Sequence, residues 1–204
     1  SAGADAGRMT DVAPPSTARV ALVLTVAVVA VSVAAVFIRL ADAPGVVVAW
    51  WRMAIAALVL APLTIRALRR TPLQLATAWP TVVAGLLLGV HFATWITSLS
   101  YTTVAASVSL VATTPLWVAI LAWAFLRRAP TLTVLLGVLV AVAGGAIIGF
   151  GDALGQTTTA AAPAPLLGDA LALTGAIAGA GYLLLGRLAQ RRGLALDAYV
   201  VATV

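Results

Sequence analysis

The 204-residue sequence contains no cysteine, no lysine and no glutamate, and its single histidine is His91. Without cysteine, disulfides, thiol nucleophiles and sulfur-ligated metals are excluded. Charged residues make up 9% of the chain and hydrophobic residues 63%, whereas soluble domains carry about 25% charged residues. So few charges could not cover the apolar surface in water, and disorder requires low hydrophobicity. The composition therefore predicts an all-α polytopic membrane protein.

Six long apolar runs, separated by polar residues, each predict one membrane-spanning helix. Residues 71–126 carry no charge apart from a possible one on His91, and they are long enough for two spans. The polar cluster at 98–103 (SLSYTT) is the expected turn between these two. A seventh apolar run starts at Leu194 and is cut off at Val204, so we expect a longer natural protein. The predicted spans are 20–38, 46–65, 78–97, 104–126, 131–150 and 168–186.

The twelve arginines predict the orientation of the chain. With a cytoplasmic N-terminus, ten arginines fall on the inside and Arg39 alone on the outside, as the positive-inside rule requires. We therefore expect a multi-pass protein of a bacterial cytoplasmic membrane with its N-terminus in the cytoplasm. The arginines form small groups between spans rather than one patch, so we expect no nucleic-acid partner.

An internal repeat predicts the domain organisation. The pattern RLAxxxG at 39–45 recurs at 187–193, and five predicted spans lie within this offset. Five is odd, so the second copy enters the membrane from the opposite face, which indicates an inverted repeat. The predicted segments are a polar cytoplasmic tail (1–19), a first five-helix repeat (20–150), an extracytoplasmic linker (151–166) and the truncated start of a second repeat (167–204).

The third span carries a polar face, because His91, Thr94, Trp95 and Ser98 have the spacing of one side of a helix. A polar face within a span should meet protein or water rather than lipid. We interpret it as the wall of a substrate cavity. The alternative is a packed histidine that is hydrogen-bonded to a neighbouring helix.

In the fourth span, Pro115 should kink the helix and free the carbonyl of Val111, which Thr114 or a water can satisfy. This kink predicts either a gate or a static bend. In the second span, Arg52 lies at a depth where a charge is costly. It either extends to the outer surface, or it binds Asp42 or an anionic group of a substrate.

Two further expectations concern what the spans contain. Three motifs with glycines four residues apart, at 85–89, 145–149 and 175–179, predict close helix crossings. We also expect no carboxylate inside a span. Because proton-coupled carriers usually use such a carboxylate, facilitated export is at least as well supported as antiport.

The chain combines several recognisable motifs: SLSYTTVAA at 98–106, Thr114-Pro115, PTL at 130–132, Gly137 through Ala143-Gly144, Arg52, Gly168-Asp169, and Tyr182 with Arg187. Through these motifs the sequence resembles the EamA-like family of the drug/metabolite transporter superfamily over residues 20–204. Arg128 stands where that family often has a glutamate before the fifth helix, so the ion pair of that glutamate is in doubt here. The resemblance implies a ten-helix inverted-repeat transporter fold with a central cavity, of which about six helices and the start of a seventh are present.

These observations favour a secondary transporter that exports metabolites, amino acids or drug-like solutes by alternating access. The alternatives are an intramembrane hydrolase that uses serine and His91, and a helical membrane scaffold without transport. We expect no catalytic residue, cofactor or metal, and a monomer or homodimer whose partners are a small-molecule substrate and the lipid bilayer. The predicted substrate-binding residues are Arg52, His91, Trp95, Ser98 and Thr114.

Overall fold

The computed structural model describes residues 16–41, 43–70, 75–127, 130–153, 162–194, 199 and 203. These residues contain helices and no strand, so the prediction of an all-α protein is confirmed. The helices are α1 (Thr17–Leu40), α2 (Gly45–Arg70), α3 (Leu75–Ser98), α4 (Val104–Val111), α5 (Thr114–Leu126), α6 (Leu132–Ala153) and α7 (Pro165–Arg191).

Five segments of the described chain are long and apolar enough to cross a membrane. The apolar part of α6, Leu132–Gly145, is shorter than these five. Large apolar side chains such as Leu58 and Val140 lie exposed on the helices, as lipid-facing residues do. The chain is therefore a multi-pass membrane protein. The five segments are Thr17–Leu40, Gly45–Arg66, Ala78–Ser98, Val104–Phe125 and Pro165–Arg191.

The predicted turn at 98–103 is confirmed, since α3 ends at Ser98 and α4 begins at Val104. The amide of Tyr101 donates to the carbonyl of Ser98 at 2.9 Å. Thr103 caps α4, because its Oγ1 accepts a hydrogen bond from the amide of Ala106 at 3.1 Å. A threonine cap of this kind stabilises a helix by about 1 kcal/mol.

The fourth predicted span is interrupted where the kink was predicted, since α4 ends at Val111 and α5 begins at Thr114. Ala112 and Thr113, which separate the two helices, keep right-handed helical backbone angles. Pro115 has no amide hydrogen for the carbonyl of Val111. The hydroxyl of Thr114 donates to that carbonyl instead, at 2.6 Å, as predicted. Thr113 donates in the same way to the carbonyl of Leu110, also at 2.6 Å. The Thr114 hydroxyl thus replaces the missing backbone donor, whereas the carbonyl of Leu110 also accepts a bond from the amide of Thr113 at 3.1 Å.

The chain divides into two compact units, residues 1–34 and 35–204. In the described part of the first unit, α1 exposes a nearly continuous apolar surface.

In the second unit, the most extensive helix contact joins α3 and α7. An added Cβ at Gly175 would lie 3.2 Å from the carbonyl oxygen of His91, and one at Gly179 would lie 3.0 Å from His91 Nδ1. The crossing predicted from the third glycine motif is therefore confirmed. Gly89 faces open space, so it makes no such crossing.

Candidate functional site

The polar face of α3 meets α7, and His91 lies at the point of contact. Its Nδ1 is 2.7 Å from the carbonyl oxygen of Gly175. A carbonyl can only accept, so Nδ1 carries the proton and Nε2 of a neutral ring is an acceptor. The His91 ring stacks on that of Trp95, with centroids 5.9 Å apart and an interplanar angle of 26°. His91 is therefore hydrogen-bonded to a neighbouring helix, as the alternative to a cavity wall predicted. That bond uses only Nδ1 of the ring.

Arg52 of α2 lies against the same aromatic side of α3. Its Cζ is 4.3 Å from the ring centroid of Phe92 and 5.7 Å from that of Trp95. The contacts described for its guanidinium are therefore aromatic rings, and Asp42 lies outside the described residues. We call Arg52, His91, Phe92 and Trp95 the Arg52 cluster. It combines one permanent positive charge, one hydrogen-bond acceptor and three ring faces within spanning helices.

Trp95 anchors this cluster in the protein interior. It is 3% exposed and packs with Ala35, Ala49, Ile96 and Leu99. Its indole Nε1 is buried and has no hydrogen-bond partner within the described part of the chain. A buried indole N–H usually finds a partner, and leaving it without one costs about 1–3 kcal/mol. An unsatisfied donor beside a half-buried cation is an arrangement that suits an oxygen-bearing ligand.

Ser98 and Thr114 use their hydroxyl groups within the protein. Ser98 is fully buried. Its Oγ donates to the carbonyl of Trp95 at 2.6 Å, and it lies 2.6 Å from Oγ of Ser107. A hydroxyl has one proton, so Ser107 is the donor in the second bond. The structure therefore brings Arg52, His91 and Trp95 together. Ser98 instead joins α3 to α4 through Ser107, and Thr114 bonds the carbonyl of Val111 just before α5.

The expectation that no carboxylate lies inside a span is wrong. Asp169 is part of α7 and is 7% exposed. Its Oδ1 accepts a hydrogen bond from Oγ1 of Thr102 at 3.0 Å. The carbonyl of Thr102 accepts one from Nη1 of Arg39, also at 3.0 Å. We call Arg39, Thr102 and Asp169 the helix-end network, since it joins the end of α1 and the start of α7 to the α3–α4 turn.

The sequence carried a signal for one of two residues that our prediction missed. Asp169 is the only acidic residue within the predicted span 168–186, and an acid in an apolar run usually has a partner. Phe92 is next to the predicted polar face of α3, but its role depends on where α2 places Arg52. That placement is a tertiary contact without a local pattern.

The comparison with protein families matches the EamA-like transporter family over residues 18–150. The comparisons with curated proteins and with solved structures found no match. The matched region begins in α1 and ends within α6, and it contains the whole Arg52 cluster. Since this match covers more than half of the all-helical chain, the protein belongs to the EamA-like transporter family of the drug/metabolite transporter superfamily.

Proposed function

We propose that this protein is a secondary transporter that exports small metabolites, amino acids or drug-like solutes by alternating access. Its family suggests a membrane transporter, and the Arg52 cluster is the observation that carries the proposal. An arginine at the centre of a spanning helix costs about 2.5–3.5 kcal/mol on insertion scales, and Arg52, which lies nearer to the start of α2, carries part of that cost. A cation–π contact returns about 0.5–2 kcal/mol. The remaining cost favours a functional reason for Arg52, and solute binding supplies one.

In this proposal each side chain has its own role. The guanidinium of Arg52 binds an acidic or strongly polar group, and Nε2 of His91 accepts a hydrogen bond from the solute. The buried ring of Trp95 stacks on His91 and holds that imidazole in place. Ser98 and Thr114 support the site from within the protein, where they hold α4 and the start of α5.

The hydrolase alternative is less well supported by these contacts. A serine nucleophile needs a histidine within about 2.6–3.2 Å. The described bonds of Ser98 go to Ser107 and to a backbone carbonyl, while Nδ1 of His91 faces Gly175. A scaffold would not need a cation deep in α2. Buried Asp169 also makes proton coupling a candidate again beside facilitated export, because embedded carboxylates serve such coupling.

The first prediction tests transport directly. Proteoliposomes containing the protein and loaded with pooled metabolites should lose selected solutes that empty vesicles retain. Trp95→Phe should slow that loss because phenylalanine has a smaller aromatic ring and lacks the indole N–H donor. Trp50→Phe is the matched control, since Trp50 is 62% exposed and should be replaceable. Equal loss from both variants and the parent would contradict the proposed site, and no selective loss at all would contradict the transporter.

The second prediction concerns orientation, which we propose to be that of a bacterial cytoplasmic membrane protein with an internal N-terminus. The chain has no cysteine, so single cysteines can be introduced by Ala67→Cys and by Gly155→Cys, the latter at a position outside the described residues. In intact cells, an impermeant thiol reagent should label the Gly155→Cys variant and spare the Ala67→Cys variant. The reverse pattern, or labelling of both, would show that the topology is wrong.

A further inference from the structure

A second cavity lies between α3, α5 and α7, apart from the Arg52 cluster. It has a volume of about 490 Å³, within the range of about 300–1,000 Å³ that small-molecule sites occupy. Its walls are apolar and include Leu87 of α3, Leu121 of α5 and Leu184 of α7. Gly181 allows α7 to pack closely against α3 beside this cavity, since an added Cβ would lie 2.8 Å from Cδ1 of Leu87.

Two arginines form the polar part of this cavity. Arg187 and Arg191 both line it, one helix turn apart near the C-terminal end of α7. Residues four apart on a helix are neighbours on one face, so both arginines line the cavity at the same edge. The residues described as lining it include no aspartate. The adjacent Arg192 does not line the cavity, and its Cζ lies 5.4 Å from the ring of Trp79.

We propose that this cavity binds an amphiphilic organic anion with a single apolar chain. The chain occupies the space among the leucines, where it removes apolar surface from water. The anionic head lies between Arg187 and Arg191, where charge-assisted hydrogen bonds to guanidinium groups are strong and directional. Because the two arginines are positive and no acidic residue is described in the lining, a ligand with a cationic head group should be disfavoured. The cavity has one apolar compartment of about 490 Å³, which favours a ligand with a single apolar chain. The solutes of the proposed transport reaction do not require this site.

The test uses thiol protection in the 204-residue chain, which has no cysteine of its own. Leu184→Cys places a thiol in the cavity, whereas Leu183→Cys places one at nearly the same depth on a residue that does not line it. Both variants are reconstituted in phosphatidylcholine nanodiscs and alkylated with a membrane-permeant maleimide. At a decanoate concentration about ten times its Kd, we expect decanoate to slow alkylation of the Leu184→Cys variant about tenfold and to leave the Leu183→Cys variant unchanged. Decylammonium, with the same chain and the opposite charge, should protect neither.

The arginines are tested in the Leu184→Cys background. Replacing Arg187 and Arg191 together by glutamine should remove the protection by decanoate, whereas Arg192→Gln should retain it. Elution as a single species in size-exclusion chromatography checks that each variant is folded, and the comparison of decanoate with decylammonium requires no arginine variant. Equal protection by both amphiphiles, protection only by phosphatidylglycerol added to the nanodisc, or no protection at all would each overturn the proposal.

Discussion

Replacing Arg52 by methionine is expected to lower transport about tenfold or more while the protein remains at least as stable as its parent. A hydrogen bond to a charged group contributes about 1.5–3 kcal/mol, and each 1.4 kcal/mol is a factor of about ten in binding. Loss of the guanidinium should therefore weaken solute binding by at least that factor. Methionine keeps an unbranched apolar chain against Phe92 and removes the cost of placing a charge in a span.

The stability of this variant separates a functional arginine from a structural one. The insertion cost, which reaches about 2.5–3.5 kcal/mol only at the helix centre, offsets the cation–π gain of about 0.5–2 kcal/mol, so the apparent Tm of Arg52→Met should be unchanged or higher. Arg66→Met, at the other end of the same apolar segment, is the control and should leave transport unchanged. Solute efflux from proteoliposomes and thermal aggregation in detergent measure the two quantities. A clear fall in Tm together with full transport would mean that Arg52 is a structural residue.

Gly168→Ala should be one of the most destabilising small substitutions in the described chain. An added Cβ would lie 2.6 Å from Cβ of Thr102 and 2.7 Å from its backbone nitrogen. A backbone atom cannot move aside as a flexible side chain can, so α7 must shift away from the α3–α4 turn. Overpacking of this kind costs about 1–3 kcal/mol, and the shift would also lengthen the bond between Thr102 and Asp169.

Gly89→Ala is the matched control for this substitution. Gly89 also lies within a helix, but an added Cβ there meets no atom within 4 Å. Alanine has a higher helix propensity than glycine, by about 0.8–1.0 kcal/mol, so this control should be neutral or slightly stabilising. The measurement is the temperature at which each variant aggregates in the same detergent. Relative to the parent, this temperature should fall for Gly168→Ala and stay unchanged or rise for Gly89→Ala. Equal behaviour would show that the contact between Gly168 and Thr102 does not limit stability.

The helices could be predicted from the sequence because the length of an apolar run and the polar breaks between runs are local properties. The turn at 98–103 was found where its serines and threonines indicated. The bond from Thr114 to the carbonyl of Val111 was also predictable, since donor and acceptor lie within one helix turn. The division of this span into two helices was not predicted. Proline alone bends a helix, whereas here the hydroxyl of a second threonine, Thr113, also bonds the carbonyl of Leu110 beside a backbone amide.

The site was predictable only as far as one helix face could show it. Spacing placed His91 and Trp95 on the side of α3 that faces protein, but their partners come from other helices. Whether Arg52 would extend to the surface or turn toward Phe92 depends on how α2 packs against α3, and no local pattern encodes that packing. The polar character of Ser98 suggested a cavity wall, yet a hydroxyl serves equally well to join two helices, as its bond to Ser107 does.

The helix-end network has a consequence for the time course of synthesis. Thr102 and Asp169 are 67 residues apart in the chain. At a translation rate of about 5–20 residues per second, this separation corresponds to about 3–13 s. During that interval Thr102 has been synthesised, but its contact with α7 cannot form because Asp169 has not. The contacts of the helix-end network are therefore completed only after the chain has been synthesised as far as the start of α7.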